Sequence, residues 1–309
     1  MSYEGDMLRK FDMPQKMEVE EAILKTLFKH NGTIKEFAAE EEIVDEIAEL
    51  FTLKESQRVA VLERIYRKEN RPVKTPLWHR LLYRAADSLA KERLVSRPKS
   101  TVLLTNKREW MLTEEGFEKA LKLLQIPPTQ KEFLPVKSYE VEKVVKKIKE
   151  TPSPCNYIPF DIKKKIRTES KETTIRARGF RIAVIESYDY RCSICGLKLS
   201  SPDSHFWEVE AAHIVPNSSK GRDDIWNGLA LCHFHHWAFD VGWFSLTEDY
   251  KVIVSSQSQN LPHDCGIIDN YQVFKDGLTP NKPLILPANS NLYPHKNSLH
   301  WHRQNILQI

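Results

Sequence analysis

Residues 231–240, LCHFHHWAFD, hold three histidines, a cysteine and an aspartate. So many metal-seeking groups in one stretch raise the question of which bind metal, and how many ions they serve. Upstream stands Cys192-x-x-Cys195-Gly, a knuckle that offers two sulfurs. A closed tetrahedral zinc site needs four such ligands, and Cys232 with His235 supplies the second pair. The spacing predicts a structural Zn2+ on Cys192, Cys195, Cys232 and His235, set against the plainer alternative of a redox pair with incidental histidines. His233 lies between two ligands and has to point elsewhere, as a packing or phosphate-contacting group. That leaves His236 and Asp240, spaced i and i+4 on one helical face. Imidazole and carboxylate together suit a catalytic divalent cation, Mg2+ or another, with an open coordination position.

The preceding stretch, WEVEAAHIVPNSSKGRDDIWNGLALC, reads as a strand ending at His213, a polar loop, and a second strand that Asn227 opens and Cys232 ends. In this order the residues resemble the HNH, or ββα-metal, nucleases. The resemblance implies that His213 is the general base, that Asn227 positions the histidine-bearing loop, and that His236 binds the catalytic metal. Phosphodiester hydrolysis has a use for each type: neutral imidazole takes a proton from water near pH 7, and a cation offsets the charge growing on the phosphate. From about Phe180 to the C-terminus the text is similar to the restriction-type branch of these proteins. One position departs from the pattern. Many members carry Asp just before the first histidine, whereas here it is Ala212. Glu210, two residues earlier on the strand, is the substitute metal ligand that the spacing offers.

These residues need a scaffold, and the rest of the chain supplies candidates for one. Residues 17–125 read as several short amphipathic helices followed by a basic, Pro-containing hairpin, a strand at Trp110–Leu112 and a closing helix. That is the outline of a winged helix, with residues 76–92 as the groove-reading helix. The text from LWHRLLYRAADSLAKERLVSRP to REWMLTEEG also resembles the N-terminal domain of Mrr-type restriction proteins. A third helix is expected over TLKESQRVAVLERIYRK, because Thr52 and Glu55 have capping-box spacing. Candidate DNA contacts are Trp78, Arg80 and Arg84 on the reading helix, and Lys99 and Lys107 on the hairpin. Residues 126–178 read as a basic linker that adds Lys163, Lys164, Lys165, Arg176 and Arg178. The fold class expected is therefore α+β: winged helix, basic linker, and a zinc-stabilised ββα-metal module over 179–309.

Composition sets the outer limits. The 309 residues carry 28% charged side chains and a net charge of +4. Between Lys143 and Arg181 stand 12 Lys or Arg against 4 Asp or Glu, so the positive charge is concentrated there. A basic segment between more acidic halves suits double-stranded DNA, although a solvated linker would look the same. No apolar run reaches the length of a membrane span, and no secretory signal is apparent, which together suggest the cytoplasm. Cys155, Cys265, His300 and His302 read as incidental or as packing groups. Asp223 and Asp224 read as turn formers, and Trp207, Trp226, Trp237 and Trp243 as core. The function this implies is a restriction-type endonuclease that cuts methylated DNA, with a homodimer as the natural expectation because two cuts need two active sites. An ordinary sequence-specific or homing HNH enzyme is one alternative, and a non-catalytic zinc-stabilised DNA-binding regulator is another.

Overall fold

The structure is a computed structural model that describes residues 3–37, 41–66, 71–161, 171–202, 206–257 and 278–308. It divides into two compact units, Met1–Glu142 and Lys143–Ile309. Among the described residues no helix is long and apolar enough to cross a membrane.

The first unit is built on α2 (Lys16–Lys29), whose Val19, Ile23, Leu24 and Leu27 are fully buried at helical spacing. Glu18 caps the free Gln15 N–H at 2.8 Å, and the helix stops at Asn31 and Gly32, both with positive φ. A Cβ on Gly32 would meet the Lys137 carbonyl oxygen at 1.9 Å, so no larger residue fits this turn. β1 (Thr33–Lys35), α3 (Glu42–Leu50) and α5 (Leu77–Lys91) follow in space, then β4 (Val95–Ser96), β5 (Glu109–Leu112) and α7 (Glu114–Leu123). The three strands pair antiparallel in the order β1-β5-β4. Helix α5 buries Leu77, Leu82, Ala85, Ala86 and Leu89 completely, the apolar stripe of an amphipathic helix.

Two stretches depart from the sequence-based expectation. The third helix shrinks to one turn, α4 (Glu55–Arg58), and β2 (Val61–Tyr66) and β3 (Arg71–Pro76) pair as a hairpin. The Thr52–Glu55 capping box does not form. Thr52 takes a positive φ, and Gln57 caps the Lys54 N–H at 2.8 Å instead. Along Val61, Leu62 and Glu63 the side chains alternate exposed, buried, exposed, the period-two pattern of a strand, which overrides a helix start signal nearby. Ala60, Leu62 and Leu77 then form a small core with Met7, Leu8, Phe11 and Met13 from α1 (Tyr3–Lys10) and the turn after it. The basic connection between β4 and β5 is likewise not a plain loop. It carries α6 (Pro98–Thr105), started by a proline at its first position and ended by Asn106 in the left-handed region.

The second unit takes up α8 (Tyr139–Glu150) from Lys143 onward, with Ile148 against its core and Lys149 paired to Glu186 at 2.6 Å. Helix α9 (Lys171–Ser187) crosses the hairpin of β6 (Val209–His213) and β7 (Gly228–Cys232). Gly228 permits that crossing, because a Cβ there would stand 2.4 Å from a Val184 methyl. The hairpin register sets His213 opposite Gly228 and Val209 opposite Cys232. Strand β7 runs straight into α10 (His233–Asp240), which packs on β8 (Phe244–Leu246). β8 pairs with β9 (Val252–Val254), and α11 (Lys296–Asn305) closes the unit against β8.

Candidate active site and metal centre

The knuckle is made by a turn at Gly196, φ 79°, whose N–H reaches back to the Cys192 carbonyl at 2.9 Å. The Ser193 N–H bonds to the Ala230 carbonyl at 2.8 Å, which ties the knuckle to β7. Cys232 caps α10, so the second ligand pair stands at a rigid strand-to-helix corner. The ligating atoms of Cys192, Cys195, Cys232 and His235 all lie within 4.8 Å of one another. His235 Nδ1 is 2.9 Å from Cys232 Sγ and 3.6 Å from Cys192 Sγ, and the Cys195 and Cys232 sulfurs are 4.0 Å apart. A zinc tetrahedron with ordinary bond lengths has edges of about 3.5–3.8 Å, so the set fits Zn2+. The thiol chemistry agrees. Hydrogen bonds from Cys192 and Cys232 pull the Cys195 thiol down to about 3, while the same crowding pushes the Cys232 thiol up. Three sulfurs this close cannot all ionise unless a cation offsets their charge.

Across the hairpin, His213 and Asn227 take different parts. Asn227 is wholly buried. Its side-chain oxygen accepts from the Val215 N–H at 2.8 Å, and its amide donates to the Val215 and Arg222 carbonyls, each at 3.0 Å. One side chain thereby staples the exit of β6 to the far arm of the loop. Gly221 lets those arms close, since a Cβ would fall 1.8 Å from the Val215 carbonyl oxygen. The His213 ring stacks on Phe180, centroids 4.2 Å apart, and its Nε2 lies 3.1 Å from Asp223 Oδ1.

On α10, the His236 imidazole stands between two carboxylates. Nδ1 is 2.8 Å from Glu210 and Nε2 is 3.5 Å from Asp240. Burial alone would lower the His236 pKa, but the Glu210 hydrogen bond and the Asp240 charge outweigh it and hold it above the ordinary value. The hydrogen bond from His236 holds Glu210 low against its burial, with His233 and Arg181 adding charge. Burial pushes the Asp240 carboxyl up, against the charges of His236 and His213. Ala212, fully buried in the core, leaves its position without a ligand, and Glu210 is the carboxylate that β6 contributes here. The two carboxylates stand on opposite ring nitrogens, so Nε2 with Asp240 is the pair that could face one divalent cation, while Glu210 engages Nδ1. His233 is the exposed neighbour, with its ring nitrogens 3.3 Å from Glu208 and 3.2 Å from Glu210.

Several site expectations need correction. Trp78 faces inward, 2% exposed, with its indole N–H donated to the Val44 carbonyl at 3.1 Å, so it is a core residue. Arg178 is 1% exposed and unavailable to DNA. Arg80 and Arg84 both grip Glu4 of α1, at 2.7 and 2.5 Å. Burial would raise the Glu4 pKa, but those two guanidinium groups hold it low. Lys99 and Lys107 are exposed at the ends of the β4–β5 connection, while Lys163, Lys164 and Lys165 lie outside the described residues, as does Cys265. Trp237 is 53% exposed and so is not core. His302 is a packing residue. Its ring stacks on Phe239 at 3.6 Å, and its nitrogens meet Ser245 Oγ and the Phe239 carbonyl. Burial drives its pKa down to about 3, against the Phe239 bond, so the ring is neutral. Asp223 is no simple turn former, because both its oxygens are engaged within the site. Its partner Arg176 was expected on DNA.

Comparison with known proteins bears on this geometry. Residues 192–247 match the HNH endonuclease family, a span that runs from the first zinc-knuckle cysteine past α10. The chain therefore carries an HNH endonuclease domain. A solved structure, titled a modification dependent TagI restriction endonuclease, is similar at 19% identity with a TM-score of 0.31. That likeness covers 45% of this chain and 44% of the other. No curated protein matches the chain.

Proposed function

We propose that this protein is a metal-dependent DNA endonuclease in which His213 is the general base. The observation that carries the reading is the HNH-matched hairpin and helix, whose hairpin carries His213 and its Asn227-stapled loop and whose helix carries His236 and Asp240. The His213 imidazole accepts a proton from the water as its oxygen bonds to phosphorus, and the 3′-oxygen leaves with the electron pair of the broken P–O bond. His236 Nε2 and Asp240 would hold the divalent cation, which when bound neutralises charge on the phosphate. Glu210 then fits best as the acceptor of the His236 Nδ1–H, the partner that a metal-binding imidazole needs to fix its free nitrogen. Cys192, Cys195, Cys232 and His235 would hold a structural zinc that clips the knuckle to the start of α10.

Target choice belongs, in this reading, to the first unit. Its α2, β1, α3, α5, β4 and β5 stand in winged-helix order with a β1-β5-β4 sheet, which supports a winged helix that carries α4 and the β2–β3 hairpin as an insertion and α6 between its last two strands. Arg80 and Arg84 on α5, with Lys99 and Lys107, are its candidate DNA contacts. The resemblance of residues 17–125 to Mrr-type N-terminal domains supports a methylated target, since an added methyl group would be visible in the major groove. Cutting both strands calls for two active sites, which a homodimer would supply. The test is incubation of methylated and unmethylated supercoiled plasmid with Mg2+ or Mn2+, using wild type and His213→Ala. Nicking by wild type that His213→Ala lacks supports the reading. Equal rates would sink it.

A further inference from the structure

His213 is held by more than its backbone. Asp223, whose side chain is 7% exposed, presents Oδ1 to His213 Nε2 at 3.1 Å and Oδ2 to Arg176. Arg176 reaches that single oxygen twice, through Nε at 2.9 Å and a terminal nitrogen at 2.7 Å. Arg176 and Phe180 are four residues apart on α9, so one helical face supplies both the stack under the imidazole and the clamp on its carboxylate. The Asn227 amide also holds the Arg222 carbonyl, which fixes the chain just before Asp223.

We propose that Asp223, oriented by Arg176, is a positioning residue that sets the tautomer and ring angle of His213. This rests on the general-base reading above. An ionised carboxylate only accepts hydrogen bonds, so Nε2 must carry the proton. Nδ1 is then left with the lone pair that takes the proton from water. Arg176 only donates, so it fixes which atom of residue 223 faces which neighbour. In Asp223→Asn the amide oxygen has to stay on Arg176, which turns the NH2 group toward His213. Nε2 must then accept, and the ring is driven to the Nδ1–H form, with no lone pair where one is needed.

This account orders the variants in a way that simple loss of packing does not. Asp223→Asn should lower the single-turnover nicking rate by roughly 10²–10⁴-fold, the usual worth of a general base, with little change in KM. Asp223→Ala should be milder, since it frees the ring without imposing the wrong tautomer. Adding Arg176→Ala to Asp223→Asn should restore part of the rate, because the amide can then turn round. The tautomer itself is readable without turnover, from the ring nitrogen shifts of the full-length protein labelled with 15N-histidine. Wild type should show His213 as Nε2–H and Asp223→Asn as Nδ1–H. The rate assays use supercoiled plasmid, methylated and unmethylated, with Mg2+ or Mn2+.

A wild-type Nδ1–H signal, or Asp223→Asn with wild-type rate and unchanged tautomer, would overturn the proposal. If Asp223→Asn fails to fold, the wild-type tautomer still decides. His213→Ala run beside it separates the two layers. Activity in that variant sinks the general-base reading, whereas a dead His213→Ala with an unaffected Asp223→Asn sinks only the positioning role.

Discussion

Replacing Asn227 tests the loop staple more sharply than replacing any group that touches water or metal. Asn227→Ala removes three hydrogen bonds, two buried ones to the Val215 N–H and carbonyl and a part-buried one to the Arg222 carbonyl, and strands those groups. A buried backbone group left without a partner costs about 1–3 kcal/mol, so the variant should lose roughly 3–6 kcal/mol, relaxation included. For a domain of this size that is a fall in Tm of roughly 10–20 °C. Asn227→Asp should be worse at neutral pH. Its carboxylate can still accept from Val215, but it points a negative oxygen at two carbonyls where an amide had donated. Burial beside acceptors raises the folded-state pKa of the new carboxyl above its unfolded value. The excess penalty of Asp over Ala is then absent below the unfolded pKa near 4, and grows as pH rises toward the folded one. Urea unfolding of zinc-loaded protein at pH 4.5 and 7.5 reads this directly. A Tm for Asn227→Ala within a degree or two of wild type, or Asp milder than Ala at neutral pH, would refute the staple.

Other perturbations probe the two metal sites and the first unit. Cys195→Ser should give protein of low solubility that retains no zinc, measured by metal analysis after dialysis, because the tetrahedron loses a corner. A stable, zinc-free, active variant would remove the structural role. Dilute EDTA should stop nicking before it lowers the far-UV circular dichroism signal, since an open site exchanges faster than a closed one. His236 has a raised pKa, so protons should compete with the activating cation up to a higher pH than at an ordinary imidazole. The apparent Kd for Mg2+ should therefore weaken as pH falls through that value, and a flat dependence between pH 6 and 8.5 would contradict it. Glu4→Gln should release Arg80 and Arg84 and tighten binding of duplex DNA by a few fold at low salt. Unchanged or weaker binding, by fluorescence anisotropy, would remove α5 from the DNA contacts.

What could be read from the sequence tracks how local each signal is. The zinc set was legible because Cys-x-x-Cys and Cys-x-x-His each describe one turn of chain, and four such ligands have few other uses. Helix α2 was legible from its period and its Asn31-Gly32 stop. The third helix was misread because Thr52 and Glu55 match a cap that residues 59–63 contradict. A start signal is worth only about 1 kcal/mol, less than the burial of Leu62 and Leu77 that the hairpin secures. Trp78 and Arg178 were assigned to DNA on residue type, yet helical phase, not type, decides which side chains turn inward. Asp223 is the most instructive miss. Its neighbour Asp224 receives the Tyr157 hydroxyl at 2.5 Å and pairs with Arg222 at 3.2 Å, so two adjacent and identical side chains do separate jobs. Nothing local distinguishes them. Their roles are set by which side of the loop faces α9, and that side is fixed by Asn227, four residues on, through the carbonyl of Arg222. A residue read as a turn former thus acquires its contact with His213 from a hydrogen bond made by a different residue, and a spacing pattern does not record it.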